Sequence, residues 1–178
     1  MKNLLKAIFH KPSDKQNTPS AFVYGIYEVR MEDSSYGAVS ILPHEEVFAK
    51  GLSSKAIVGI VPEDATEIAP ERFKPNPEFI EFLHYVIKKY CPTRQELQDE
   101  AERQGDGWVY IIDSRADNPY GQVDAEDIVG AFQVQNGLAV ANSYQPNVNF
   151  RLVSKRGLFR LDAWLQEKLL DEVRQSSN

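Results

Sequence analysis

Two stretches of this chain, 71 residues apart, constrain its fold more than any other feature. Ile57-Val58-Gly59 and Ile128-Val129-Gly130 are each followed, without a gap, by Pro-Asn and then Phe: Pro75-Asn76 with Phe79, and Pro146-Asn147 with Phe150. Phe73 and Tyr144 correspond as well. Between 56–79 and 127–150, six of 24 positions are identical, where ordinary residue frequencies give about one or two. Upstream, Phe22-Val23-Tyr24 resembles Trp108-Val109-Tyr110 at an offset of 86, and residues 44–54 supply most of the extra length in the first copy. This pattern predicts an internal duplication spanning 21–91 and 107–174. Each half would be strand, strand, hairpin partner and helix. Two such halves would bury their apolar faces in one shared core, related by a pseudo-twofold axis. The competing reading is recurrence of a generic strand and a generic Pro-Asn turn. The matching 18-residue interval from Ile to Pro favours duplication.

Local signals fill in the elements. Residues 21–30, rich in aromatic and β-branched side chains, predict a strand; Asp33–Gly37 a turn; Ala38–Pro43 a second short strand. His44–Lys50 reads as one or two helical turns, with Gly51 placed to end them. Lys55–Val61 reads as a buried strand. The clearest helix follows, with Asn76 as N-cap and Pro77 at the first helical position. Phe79, Phe82, Leu83, Val86, Ile87 and Tyr90 form one apolar stripe on it, and Pro92 stops it. Thr93 with Glu96 predicts a capping box for a surface helix closed by Gly105, apolar only at Leu97 and Ala101. Gly107–Asp113 is a strand and Ser114–Gln122 a loop. Asn136-Gly137 supplies the positive φ angles of a hairpin between Asp127–Val134 and Leu138–Tyr144. Arg151–Ser154 is a further short strand. A final amphipathic helix starts at Asp162 and uses Trp164, Leu165, Leu169 and Val173.

The expected fold class is therefore α+β: a mixed or mainly antiparallel sheet packed by two amphipathic helices, in a single domain over 21–178. Residues 1–20 are expected to be a short helix and a polar linker. A weak membrane-surface anchor through Lys2 and Lys6 is the sharper alternative there, and no secretory signal is expected because Lys6 interrupts the brief apolar centre.

Charge narrows the function. The chain carries −6 overall, but residues 1–20 hold about +3, which leaves about −9 on the remainder. An acidic body argues against nucleic-acid backbone binding, which requires clustered Lys and Arg, and suits a basic protein partner. The single cysteine, Cys91, excludes an intrachain disulfide framework and fits a reducing, cytoplasmic setting. No stretch approaches the roughly 20 apolar residues of a membrane span.

No phosphate-binding loop, dinucleotide fingerprint, nucleophile elbow or His-Glu-x-x-His motif is present, and no cofactor is expected. Three scattered histidines and one cysteine predict no zinc site. Asp124, Glu126 and Asp127 are oxygen-rich enough for a hard cation, but their spacing fits no EF-hand, and Asp124 reads better as the cap of a helical turn. Cys91 and His84 lie nearly two helical turns apart, which favours a buried structural thiol over a nucleophile. The loop to watch is 113–121. Asp113 ends a central strand and Arg115 is able to pair with it or to grip a carboxylate. Tyr120, Tyr144, Gln145, Asn147 and Asn149 are candidates to line a groove beside it. Ordinary loop chemistry explains the same residues, and Asn147 is expected to bond backbone as Asn76 does. The leading functional expectation is an acidic inhibitor- or adaptor-type protein for a basic partner. The alternative is a ligand-binding protein or enzyme with a cleft between the halves, near Asp113, Arg115 and Tyr144.

Overall fold

The computed structural model describes residues 24–119 and 121–176 of the 178-residue chain. The helix and linker expected over 1–20, and Tyr120, lie outside the described residues. Two compact units emerge. One gathers residues 24–86, 152–158 and 166–176; the other gathers 87–119, 121–151 and 159–165.

In the first unit β1 (Gly25–Arg30) pairs antiparallel with β2 (Ser35–Ser40), Gly25 opposite Ser40 and Arg30 opposite Ser35. The turn is shorter than the sequence suggests. Met31 N–H donates to Ser34 O at 2.7 Å, so the chain reverses within four residues and Ser35, Tyr36 and Gly37 join the strand. Helix α1 (His44–Lys50) buries only Val47. It ends at Gly51, whose φ of 84° would strain any side chain and whose N–H returns to Val47 O at 2.8 Å. A 3-10 turn over Ser54–Ala56 leads into β3 (Ile57–Pro62), which lies antiparallel to β2 across a bulge at Val39/Ser40. The two-residue β4 (Lys74–Pro75) completes the order β1-β2-β3-β4. Helix α2 (Pro77–Tyr90) follows directly, with Phe79, Phe82, Leu83, Val86 and Ile87 buried as the stripe predicts. The chain passes to the second unit within α2, after Val86.

There a 3-10 turn over Cys91–Thr93 separates α2 from α3 (Gln95–Gln104). The expected capping box does not form. The N-cap is Arg94, without a side-chain capping bond, because the turn around Pro92 draws Thr93 backward and its Oγ1 donates to Tyr90 O at 2.7 Å. Leu97 and Ala101 are the buried residues of α3, and Gly105 ends it at φ 76°. Strand β5 (Gly107–Ile112) pairs antiparallel with β6 (Ile128–Gln135), again with a bulge near its end, at Ile111/Ile112. Asn136 (φ 51°) and Gly137 (φ 74°) make the predicted tight turn into β7 (Leu138–Ala139). The long return strand is interrupted, however. Gln133 anchors an outward excursion by accepting Val140 N–H at its carbonyl (2.8 Å) and donating its N–H to Ser143 Oγ (2.9 Å). The chain rejoins β6 as β8 (Gln145–Pro146). Helix α3 packs on β5 and β7.

A small hairpin, β9 (Val153–Ser154) with β10 (Gly157–Leu158), belongs to the first unit. Helix α4 (Ala163–Ser176) begins in the second unit and finishes in the first. Asp162 caps it as expected, its Oδ1 accepting the N–H groups of Trp164 (3.1 Å) and Leu165 (3.3 Å). Arg94 pins that cap, donating to the same oxygen at 2.9 Å while its guanidinium lies 4.6 Å from the Trp164 ring centre. Burial pushes the Asp162 carboxyl up, and the Arg94 charge opposes the shift. The fold is α+β, every strand pair is antiparallel, and no helix among the described residues is long and apolar enough to cross a membrane.

A set of bonds recurs between the units. Asn76 Nδ2 donates to Ser54 O (3.3 Å) and Ile57 O (2.8 Å), its Oδ1 accepts Glu78 N–H (3.1 Å), and its own N–H donates to Val58 O (2.9 Å). Seventy-one residues later, Asn147 Nδ2 donates to Ala125 O and Ile128 O (both 2.7 Å), its Oδ1 accepts Asn149 N–H (3.1 Å), and its N–H donates to Val129 O (3.0 Å). The preceding glycines match too. Gly59 faces Pro75 with the Phe73 ring over its Cα; Gly130 faces Pro146 with the Tyr144 ring in the same role. Each asparagine thus ties a 3-10 turn, a strand start and an exit turn to one side chain.

Candidate functional site

The watched loop does not open onto solvent at its start. Asp113 and Arg115 are brought together, but inside the second unit. Asp113 is fully buried and Arg115 is 5% exposed, with Asp127 beside them at 1%. Asp113 Oδ1 accepts the Arg115 N–H at 2.8 Å and Oδ2 lies 3.0 Å from Arg115 Nη2; the Arg160 N–H reaches both oxygens at 3.1 and 3.2 Å. Arg115 Nη2 also donates to Arg151 O at 2.7 Å and lies 3.8 Å from Asp127 Oδ1. Desolvation pushes the Asp113 carboxyl up to about 6 against the pull of Arg115. The guanidinium is thus engaged with protein groups rather than presented to a ligand.

The remaining sequence candidates divide. Tyr144 is 9% exposed, lies over Gly130 and packs on Phe132 at 5.0 Å between ring centres. Burial drives its hydroxyl upward. Asn147 is spent on backbone carbonyls, while the side chains of Gln145 and Asn149 stand exposed. Asp124 occupies the N-cap position of a single 3-10 turn (Ala125–Asp127) without a side-chain capping bond, shorter than the helical turn expected. Among the described residues, no group of three or more His, Cys, Asp or Glu is placed to hold a metal ion. Burial holds the Cys91 thiol up at about 12 and His84 down at about 4, so neither is tuned for proton transfer near neutral pH.

The first unit presents a cluster that the sequence reading missed. Tyr27, on β1, lies back over the Cα of Gly25, where any Cβ would stand 2.6 Å from its ring. Its hydroxyl and His44 Nδ1 are hydrogen-bonded at 3.1 Å, and the two rings stack at 5.7 Å. Phe48, one helical turn along α1, meets the His44 ring edge-on at 4.3 Å and 89°. Phe48 nevertheless remains 77% exposed. Glu45 is exposed three residues before Phe48, on the neighbouring helical position, and makes no ion pair among the described residues. The i, i+4 pair His44/Phe48 on a helix whose one buried residue is Val47 was the available signal. Its third member, Tyr27, comes from another element and has no local signature.

On the same unit, a cleft of about 190 Å³ is lined by Leu42, Leu52, Lys50 and the Glu46–Arg174 pair. Arg174 Nη2 and Nε contact Glu46 at 2.8 and 3.1 Å, so the arginine that borders this cleft is held by a carboxylate of the protein. In comparisons with known proteins, no family model, no curated protein and no solved structure matches this chain.

Proposed function

We propose that this chain is a protein-interaction module, built on a duplicated β-sheet unit, that offers the Tyr27–His44–Phe48 cluster to a basic, partly apolar segment of a partner protein. Duplication is supported by the shared asparagine bonds, the shared glycine–aromatic contacts and the matching 3-10 turns before β3 and β6. The interaction reading rests on one observation: an ordered aromatic cluster whose outermost ring, Phe48, is 77% exposed. Isolated exposed apolar residues are ordinary. A ring packed edge-on against His44, which is itself stacked on Tyr27, is costly to leave in water and cheaper to dock, because part of its rotamer freedom is already lost. Burying one such ring contributes about 1.5–3 kcal/mol.

Charge supports a basic occupant. Glu45 sits beside Phe48, and the chain outside its first twenty residues carries about −9. An arginine or lysine laid on the Phe48 face would pair with Glu45 and gain roughly 0.5–1 kcal/mol from the ring itself. The test uses labelled peptides of alternating arginine and leucine, with glutamate-for-arginine counterparts, titrated into the full chain and its Phe48→Ser and Glu45→Lys variants. Binding of the basic peptide, weakened at least tenfold by either substitution, is expected. Equal binding by all three proteins, or no discrimination between the peptides, refutes the reading.

A further inference from the structure

The two sheets share a bonding pattern and differ at one edge. In the first unit Met31 N–H donates to Ser34 O, which makes Met31 and Ser34 a hydrogen-bonded pair. Bonded and non-bonded pairs alternate along an antiparallel ladder. The β1–β2 bonds therefore join Val29 to Tyr36, Tyr27 to Ala38 and Gly25 to Ser40. In the second unit Gln133 O accepts Val140 N–H at 2.8 Å, so Gln133 turns its main chain toward the return strand. Its neighbours Phe132 and Val134 turn theirs toward Val109 and Gly107 of β5. By the same alternation, Trp108 and Tyr110 direct N–H and C=O away from β6. Ile112 does so too, because the next residue, Asp113, donates to Asp127 O at 2.8 Å.

These three residues match Tyr36, Ala38 and Ser40. Ile41 N–H donates to Ala56 O just after the bulge in β2, as Asp113 N–H donates to Asp127 O just after the bulge in β5. In the first unit this edge is covered by β1. In the second, no strand among the described residues pairs with it, and β5 stands at the end of its sheet. Natural sheets blunt an open edge with charge or proline. The outer edge of β1 follows that rule, with Glu28 and Arg30 exposed and paired to each other. Strand β5 does not: Gly107-Trp108-Val109-Tyr110-Ile111-Ile112 holds neither a charge nor a proline, and Trp108 and Tyr110 are half-buried. Such an edge is a template for another antiparallel strand.

We infer that the outer edge of β5 is a dimer interface, at which two copies of this chain pair β5 antiparallel to β5 about a twofold axis. The strand is complementary to itself. With the outward-facing residues in register, Tyr110 meets Tyr110 and Trp108 meets Ile112 of the second copy. The flanking acids Asp106 and Asp113 fall opposite Ser114 and Gly107, so no like charges meet. The corresponding register of β1 on itself would set Glu28 against Glu28, which is unfavourable. Isologous pairing also closes at two copies, because each edge is consumed by its equivalent.

Sedimentation velocity on the full chain over a range of concentrations measures the association, and amide hydrogen exchange read by NMR locates it. A concentration-dependent dimer is expected. Protection of the Trp108, Tyr110 and Ile112 N–H groups should rise roughly tenfold or more with dimer formation, while Val109 and Ile111 stay protected throughout. Tyr110→Lys, which sets two ammonium groups opposite each other, should weaken the dimer by roughly tenfold or more. Tyr110→Pro should do the same and leave β5 on β6, because the N–H it removes points off the sheet. Three results overturn the interface: a monomer at every concentration, a dimer that survives both substitutions, or a dimer lost in Arg30→Glu instead. Protection of Trp108, Tyr110 and Ile112 in the dilute monomer also overturns it, since the chain's own residues would then cover the edge. The exchange pattern is read on the unmodified protein, so it decides even where a variant does not fold.

Discussion

Replacing Asn147 by aspartate separates a helix-type cap from a three-way bracket. At an ordinary N-cap, Asp serves about as well as Asn, because only the side-chain oxygen acts. Asn147 also donates through Nδ2 to two carbonyls at 2.7 Å each. A carboxylate there removes both donors and places negative charge against two carbonyl oxygens. Three hydrogen bonds at about 0.5–1.5 kcal/mol each, discounted because two of them are exposed, make Asn147→Ala cost roughly 2–3 kcal/mol. Asn147→Asp should cost at least as much at pH 7 and recover partly below pH ~4, where a protonated carboxyl donates again. Asn76→Asp should behave alike but less severely, since its bond to Ser54 O is longer, at 3.3 Å. Urea titration followed by tryptophan fluorescence is the assay, because Trp108 and Trp164 both belong to the unit that contains Asn147. Far-UV circular dichroism follows Asn76 variants. An Asn147→Asp protein within about 0.5 kcal/mol of the parent at pH 7 would refute the bracket.

Gly130→Ala should destabilise by roughly 1–3 kcal/mol, since the new Cβ would overlap the Tyr144 ring and force it to shift; Tyr144→Leu in the same chain should recover part of the loss, measured by thermal unfolding. The Cys91 thiol, fully buried and held up at about 12, should resist aromatic disulfide reagents at pH 8 in the native protein and react promptly in urea; fast native labelling would count against its burial.

What was legible in the sequence was what short-range physics decides. Pro77 after Asn76, the stripe from Phe79 to Ile87, Gly51 and Gly105 at helix ends, Asn136-Gly137 in the tight turn and Asp162 at the start of α4 each carry their own local signature. Local signatures mislead where a distant partner intervenes. Thr93 was drawn into the turn of Pro92 rather than capping α3. Leu138 begins a return strand that is interrupted where Gln133, across the pair, bonds Val140 and Ser143. Asp113 and Arg115 pair, one of the two roles open to that arginine, but their burial depends on Asp127 and on the backbone of Arg151 and Arg160, which no local pattern links to them. Likewise, nothing near Tyr27 announces His44.

Glu46 and Arg174, joined across 128 residues of chain within one unit, carry a consequence for biosynthesis. As the polypeptide leaves the ribosome, β1–β4 emerge first, and the arginine that α4 returns to them is made 128 residues after Glu46. The unit containing Asn147 is nearly complete by then, while its neighbour waits with part of its apolar surface uncovered. That interval is when a nascent chain of this design needs a holding chaperone most, and when a stalled or nicked message would yield a product with one finished half and one adhesive half.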